Sequence, residues 1–237
     1  MIAAKRVNLV TGGILLALAA AAWYVTIATF GPMAMMEVSV PIYLATWLTM
    51  LVAMMFPAVA PAVAAFARVS NARQDASLTV PAFVAGYLVI WSAAGLVPLT
   101  LYLLSRGMVA GMSSSPAGAV VIGAVLFGAG IYQFTPWKGT CIRACRSALG
   151  VVMNHDFRTG TAGAFRAGAS HGAFCLGCCW ALMAVFVVVG LMSLPWMAAL
   201  TVLFVAEKNW RHGVGLSHVA GATVALTGLA VMTWALV

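Results

Sequence analysis

The sequence predicts an all-α protein, a polytopic transmembrane helical bundle. Three observations predict it. Of the 237 residues, 64% are hydrophobic and only 7% are charged, whereas a water-soluble domain carries about a quarter charged residues to cover its surface. Mean hydropathy is +1.07. The apolar residues also gather into runs of about 20, the length at which a helix crosses the hydrocarbon core of a bilayer. The lipid bilayer is therefore the first partner the sequence implies, and the chain reads as one integral membrane domain over residues 1–237.

About seven spans are expected. The first run, Val10 to Phe30, follows Lys5 and Arg6 and so has the flank of a signal peptide. Its length exceeds the roughly 7 to 15 residues of a signal core, which reads as an uncleaved first span. The second, Ile42 to Ala67, contains "WLTMLVAMMFPAVAP". In it Met50 and Met54 stand four residues apart with Met55 adjacent, and Pro57 cannot donate to the carbonyl of Ala53. That oxygen is left for a ligand, a water or another side chain. The third run is Val80 to Leu104 and the fourth Ala117 to Phe134. The fifth is Ala167 to Leu191, the sixth Pro195 to Glu207 and the seventh Gly215 to Leu236. The sixth is short for a span.

The net charge of +8 does not require a nucleic-acid partner. With the amino terminus inside, Lys5, Arg6, Arg68, Arg73, Lys138, Arg143, Arg146, Arg158, Arg166, Lys208 and Arg211 all fall on inner segments, and of the 12 basic residues only Arg106 falls outside. This is the asymmetry of a chain inserted into a cytoplasmic-type membrane. It places the amino terminus inside and the carboxyl terminus outside. An odd number of spans and the lack of a fixed-period repeat argue against two equal inverted halves.

The chemistry is concentrated in one region. All 5 cysteines lie between Cys141 and Cys179. The long inner connection 135–166 carries "TPWKGTCIRACR", where Pro136 suits a helix start and Cys141 and Cys145, four apart, share a face if the segment is helical. Lys138, Arg143 and Arg146 flank these thiols, and nearby positive charge favours thiolate, the nucleophilic and metal-binding form. The fifth span holds "HGAFCLGCCWALM". On a helix His171, Cys175, Cys179 and Met183 form one i, i+4 column with Cys178 beside it. Gly172 and Gly177 make room for a neighbouring helix, and the Met50 and Met54 segment is one candidate. A single cysteine in an apolar helix commonly acts as a small hydrophobe, and methionine commonly packs. Five cysteines as C-x3-C and C-x2-C-C go beyond that pattern. Glu207 in "FVAEKNW" is the acid placed within a span, where burial costs about 2.5 to 3.5 kcal/mol. It either faces the bundle interior with a purpose or forms an interfacial pair with Lys208.

In these motifs the chain resembles the bacterial predicted metal-binding integral membrane proteins, a domain of unknown function sometimes described as a copper chaperone. The likeness covers most of the chain. It rests on Trp47 with Met50, Met54, Met55 and Pro57, and on Gln133 with Lys138, Cys141, Cys145 and Arg146. The Gly-Cys-Cys-Trp-Ala-Leu-Met run from Gly177 to Met183 and Glu207 with Lys208 complete it. Ala148 departs from it, standing where a proline is expected after Ser147. The resemblance implies metal binding.

Soft thiolates and thioethers favour copper(I), with zinc second through His171 and the cysteines. The candidate metal residues are thus Cys141, Cys145, His171, Cys175, Cys178, Cys179, Met50, Met54, Met183 and Glu207. Copper chaperoning, delivery or transport is the first function expected, with a metal-donor or metal-acceptor protein as partner. Haem is disfavoured because no C-x-x-C-H motif occurs. A second class is membrane thiol-disulfide exchange, with Cys175 and Cys178 as one dithiol and Cys141 and Cys145 as the other. A third is an accessory or assembly subunit of a larger membrane complex. An enzyme is the lesser expectation.

Overall fold

The computed structural model describes residues 2–33, 39–72, 76–105, 115–147, 160–189 and 193–236. Every regular element among them is a helix. In chain order these are α1 (Ile2–Met33), α2 (Val40–Ala72), α3 (Ala76–Ser105), α4 (Pro116–Tyr132), α5 (Pro136–Arg146), α6 (Gly160–Val189), α7 (Leu194–Asn209) and α8 (Gly213–Leu236). Arg73, Arg106, Ala148 and Arg158 lie outside the described residues.

The helices begin where local chemistry favours it. Ser115 caps α4, its hydroxyl accepting from the Gly118 amide, and Pro116 opens the helix. Thr135 caps α5 in the same way through the Lys138 amide, with Pro136 at the first position. Such hydroxyls satisfy an amide that would otherwise lack a partner at the helix start.

Five helices, α1, α2, α3, α6 and α8, are long and apolar enough to cross a membrane. A sixth span exists if α4 and α5, bent by 62° at their junction, count together. This corrects the expectation of seven. The Pro195 to Glu207 run forms α7, whose 16 residues extend about 24 Å at 1.5 Å per residue, short of the roughly 30 Å hydrocarbon core.

The bundle is built around α2. Its apolar window is 83% buried, against 22% for α1 and 17% for α8. Around it α1 packs on α2, α3 on α6, and α4 on α8, while α7 packs on α2. Close approach of backbones brings these apolar helices together. Glycines provide it. A Cβ at Gly168 would lie 2.7 Å from the Phe83 carbonyl carbon, and one at Gly172 3.1 Å from the Tyr87 carbonyl oxygen, so α6 can meet α3 only without side chains there. Along α4 and α8, Gly123 and Gly130 meet the backbone of Gly228 and Gly221 in the same fashion.

Side-chain donors then fix the register of α2. Tyr43 donates to the Gly95 carbonyl (3.1 Å) and the Trp47 indole to that of Trp91 (3.0 Å), both on α3. The Ala53 oxygen released by Pro57 is taken by the Trp23 indole of α1 at 3.1 Å. The vacancy that the sequence opens to a ligand is thus filled by protein.

The helix ends set the level of the candidate site. Tyr132, the last residue of α4, donates to the Gly177 carbonyl at 2.6 Å. Asn209, the last of α7, donates to the Ala58 carbonyl at 3.4 Å, and Ser217, near the start of α8, donates to Gln133. So α4 and α7 stop, and α8 starts, about halfway along α2 and α6. From that level α2 runs on to Ala72 by about 21 Å and α6 back to Gly160 by about 26 Å at the helical rise.

Candidate functional site

On this level lie the sulfurs. The first two cysteines sit on α5, and this helix packs against α6. Cys141, partly exposed, rests in the notch of Gly177, where a Cβ would come within 2.7 Å of its Sγ. One turn on, buried Cys145 puts its Sγ 3.8 Å from that of Cys178. The four-residue spacing on α5 therefore falls on adjacent positions of α6.

On α6, His171, Cys175, Cys179 and Met183 are all buried, as the i, i+4 column requires. Cys178 is equally buried; its thiol donates to the Cys175 carbonyl (3.1 Å) and lies 3.4 Å from Cys179 Sγ. Cys145, Cys178 and Cys179 thus form a continuous chain of sulfur contacts joining two helices. All five cysteines are unpaired thiols. Met50 and Met54 of α2 are buried in the same core as these residues and as Met183. His171 stacks obliquely near Phe83 and Tyr87, with ring centroids 6.0 and 6.1 Å away. Its Nδ1 is buried with no hydrogen-bond partner among the described residues.

The helix packed against the glycines is not α2. Gly172 meets the α3 backbone and Gly177 meets Cys141 of α5. Only those neighbours bring a backbone or a small thiol to the notch, whereas α2 reaches the cysteines through the shared core.

The cations are arranged differently from the sequence expectation. Lys138 turns away from the thiols and binds both oxygens of Glu207 at 3.0 Å, and also donates to Gln133. Arg143 donates to Thr140 and Arg146 to the Trp210 carbonyl. The cation that reaches a sulfur is Lys208, whose Nζ lies 2.9 Å from Cys175 Sγ. Tyr87 of α3 contacts the same sulfur at 3.1 Å. Glu207 faces the bundle interior, but its partner is Lys138 rather than Lys208. Neither Lys208 nor Tyr87 was singled out as a site residue. The signal for Lys208 was its position beside Glu207 in an apolar run; Tyr87 carried none.

Donor geometry limits the ions that fit. Among the described residues no group of three or more His, Cys, Asp or Glu side chains is disposed to hold a metal ion. A closed tetrahedral zinc site needs four such ligands and a catalytic one three. Residues 44–231 match the family model PpoB2, described as copper chaperone. The chain belongs to the copper chaperone family. No curated protein and no solved structure matches it. The family's span takes in α5, α6 and α7, and hence every contact just described.

Proposed function

We propose that this copper chaperone family member is a multi-pass protein of the bacterial inner membrane, amino terminus inside, that receives copper(I) on its buried thiols and hands it on. The observation that carries the reading is the approach of Cys145 on α5 to Cys178 on α6, 3.8 Å between sulfurs from separate helices, continued to Cys179. Soft thiolates select copper(I) over hard cations, and selectivity among soft ions follows from geometry and coordination number. Two thiolates suffice for a low-coordinate soft ion, which agrees with the absence of a larger donor group among the described residues.

In this reading Cys141, partly exposed at the edge of α5, is the entry thiol. Cys145 and Cys178 form the holding pair, with Cys175 and Cys179 beside them. His171, Met50, Met54 and Met183 supply further soft or borderline donors toward α2 and α3. Glu207 holds α5 in place through Lys138 instead of ligating. The partners are a metal-donor or metal-acceptor protein, or a larger membrane complex to which the copper is delivered.

The test is anaerobic copper analysis of the purified full-length protein. Wild type retains about one or more equivalents of copper(I), as a thiolate site for a soft ion requires, and Cys145→Ser or Cys178→Ser lowers this severalfold. Copper content unchanged by both substitutions refutes the reading. The same sulfur approach also suits a dithiol pair, Cys145 with Cys178, beside the Cys175 and Cys178 pair that the sequence spacing offers. A mixed disulfide with a redox partner trapped through Cys145 or Cys178, without bound copper, selects thiol-disulfide exchange instead.

A further inference from the structure

The copper reading leaves one neighbour of the sulfurs unused. Lys208 is 7% exposed, on the last turn of α7, and its Nζ is 2.9 Å from Cys175 Sγ. It does not spend its charge on the adjacent carboxylate, because Glu207 is bound by Lys138. The ring of Phe204, one turn earlier on α7, has its centroid 6.0 Å from the same nitrogen, and Tyr87 closes the far side of Cys175. An ammonium is thus held inside the bundle, pressed against a sulfur, while the carboxylate next to it in sequence is already paired with Lys138.

Charge counting gives this arrangement a use. Cysteines ligate metals as thiolates, so a site that uses two thiolates of this cluster, its other cysteines staying protonated, carries two negative charges into a medium that tolerates no uncompensated one. A monovalent ion alone leaves that site at −1. With the Lys208 ammonium counted in, a monovalent ion brings it to zero and a divalent ion to +1. We infer that Lys208 is the built-in counter-ion of the thiolate site and sets its preference for a monovalent soft cation over a divalent one. The inference rests on the copper reading and names the residue that decides which cargo that site accepts.

The experiment uses full-length protein in detergent micelles, with silver(I) as a monovalent soft probe that does not change oxidation state and cadmium(II) as the divalent probe. Affinities for each are obtained by chelator competition for wild type, Lys208→Met and Lys208→Arg. Methionine keeps the length and apolar stem of the side chain without its charge. Because one buried uncompensated charge weighs heavily on a binding constant, the silver-to-cadmium affinity ratio falls at least about 100-fold in Lys208→Met. In Lys208→Arg, which keeps the charge, the ratio stays within about 10-fold of wild type.

A misfolded variant loses both ions together, so the ratio reads charge and not stability. An unchanged ratio in Lys208→Met that still binds both ions, or a ratio in Lys208→Arg that falls as far as about 100-fold although the charge is kept, overturns the inference and leaves Lys208 a packing residue. Wild-type protein that binds neither probe refutes the copper reading itself.

Discussion

Removing one half of the Lys138 and Glu207 pair should cost far more than removing both. Lys138 on α5 and Glu207 on α7 meet at 3.0 Å with side chains 2% and 0% exposed. This is the buried regime, in which desolvation of a lone charge dominates, and not the surface regime of pairs worth under about 1 kcal/mol. Glu207→Leu leaves the Lys138 ammonium with only Gln133 as a side-chain acceptor. Lys138→Met leaves the carboxylate without its ion-pair partner. Each single substitution is expected to destabilise the protein by about 3 to 5 kcal/mol. The double variant, with both charges replaced by apolar groups of similar length, should return to within about 1 to 2 kcal/mol of wild type. Unfolding in mixed micelles, followed by far-ultraviolet circular dichroism across an SDS titration, measures all four proteins. A second readout follows from position. The pair ties α5 to α7, so Glu207→Leu should also speed alkylation of Cys145, which is buried against Cys178. Single variants that cost under about 1 kcal/mol, or a double variant that costs their sum, would show that the pair is not acting as a buried couple.

Two further predictions concern the fold. Gly168→Ala pushes a methyl to within 2.7 Å of the Phe83 carbonyl carbon, backbone that cannot rotate away, whereas Gly12→Ala meets nothing within 4 Å. The first should lower stability by about 1 to 3 kcal/mol and the second should leave it unchanged or raise it slightly, both read in the same SDS titration. Trp23→Phe removes the indole donor from the Ala53 oxygen, which is buried, and should cost about 1 to 3 kcal/mol. In a Pro57→Ala background the helix amide of residue 57 recovers that oxygen, and the Trp23→Phe cost should shrink to the loss of packing. An equal cost in both backgrounds removes the hydrogen bond from the account.

The helical class and the main features of α6 were legible because they depend on periodicity within one segment. The column from His171 to Met183, the helix start at Pro136 and the small-residue notches at Gly172 and Gly177 each follow from residues within a single segment, and the structure bears them out. What could not be read was set between segments. Lys138, Arg143 and Arg146 are nearer Cys141 and Cys145 in sequence than Lys208 is to Cys175, yet it is Lys208, 33 positions away, that touches sulfur. Glu207 captures Lys138 across 69 positions and thereby removes one of the three flanking cations from the thiols of α5. The span count failed for a related reason. Hydropathy marks an apolar run but not the level at which a helix stops, and α7 and α4 both end where they meet polar partners on α2, α6 and α8.

Glu207 and Lys208 are consecutive, so on a helix their side chains diverge by about 100°, and each grips a different cysteine-bearing neighbour: the carboxylate holds α5, the ammonium holds α6. The end of α7 therefore works as a two-jawed spanner. Any twist of it about its own axis slackens both grips in one stroke, and the gap between Cys145 and Cys178 is governed from a helix that contributes no sulfur of its own to that gap.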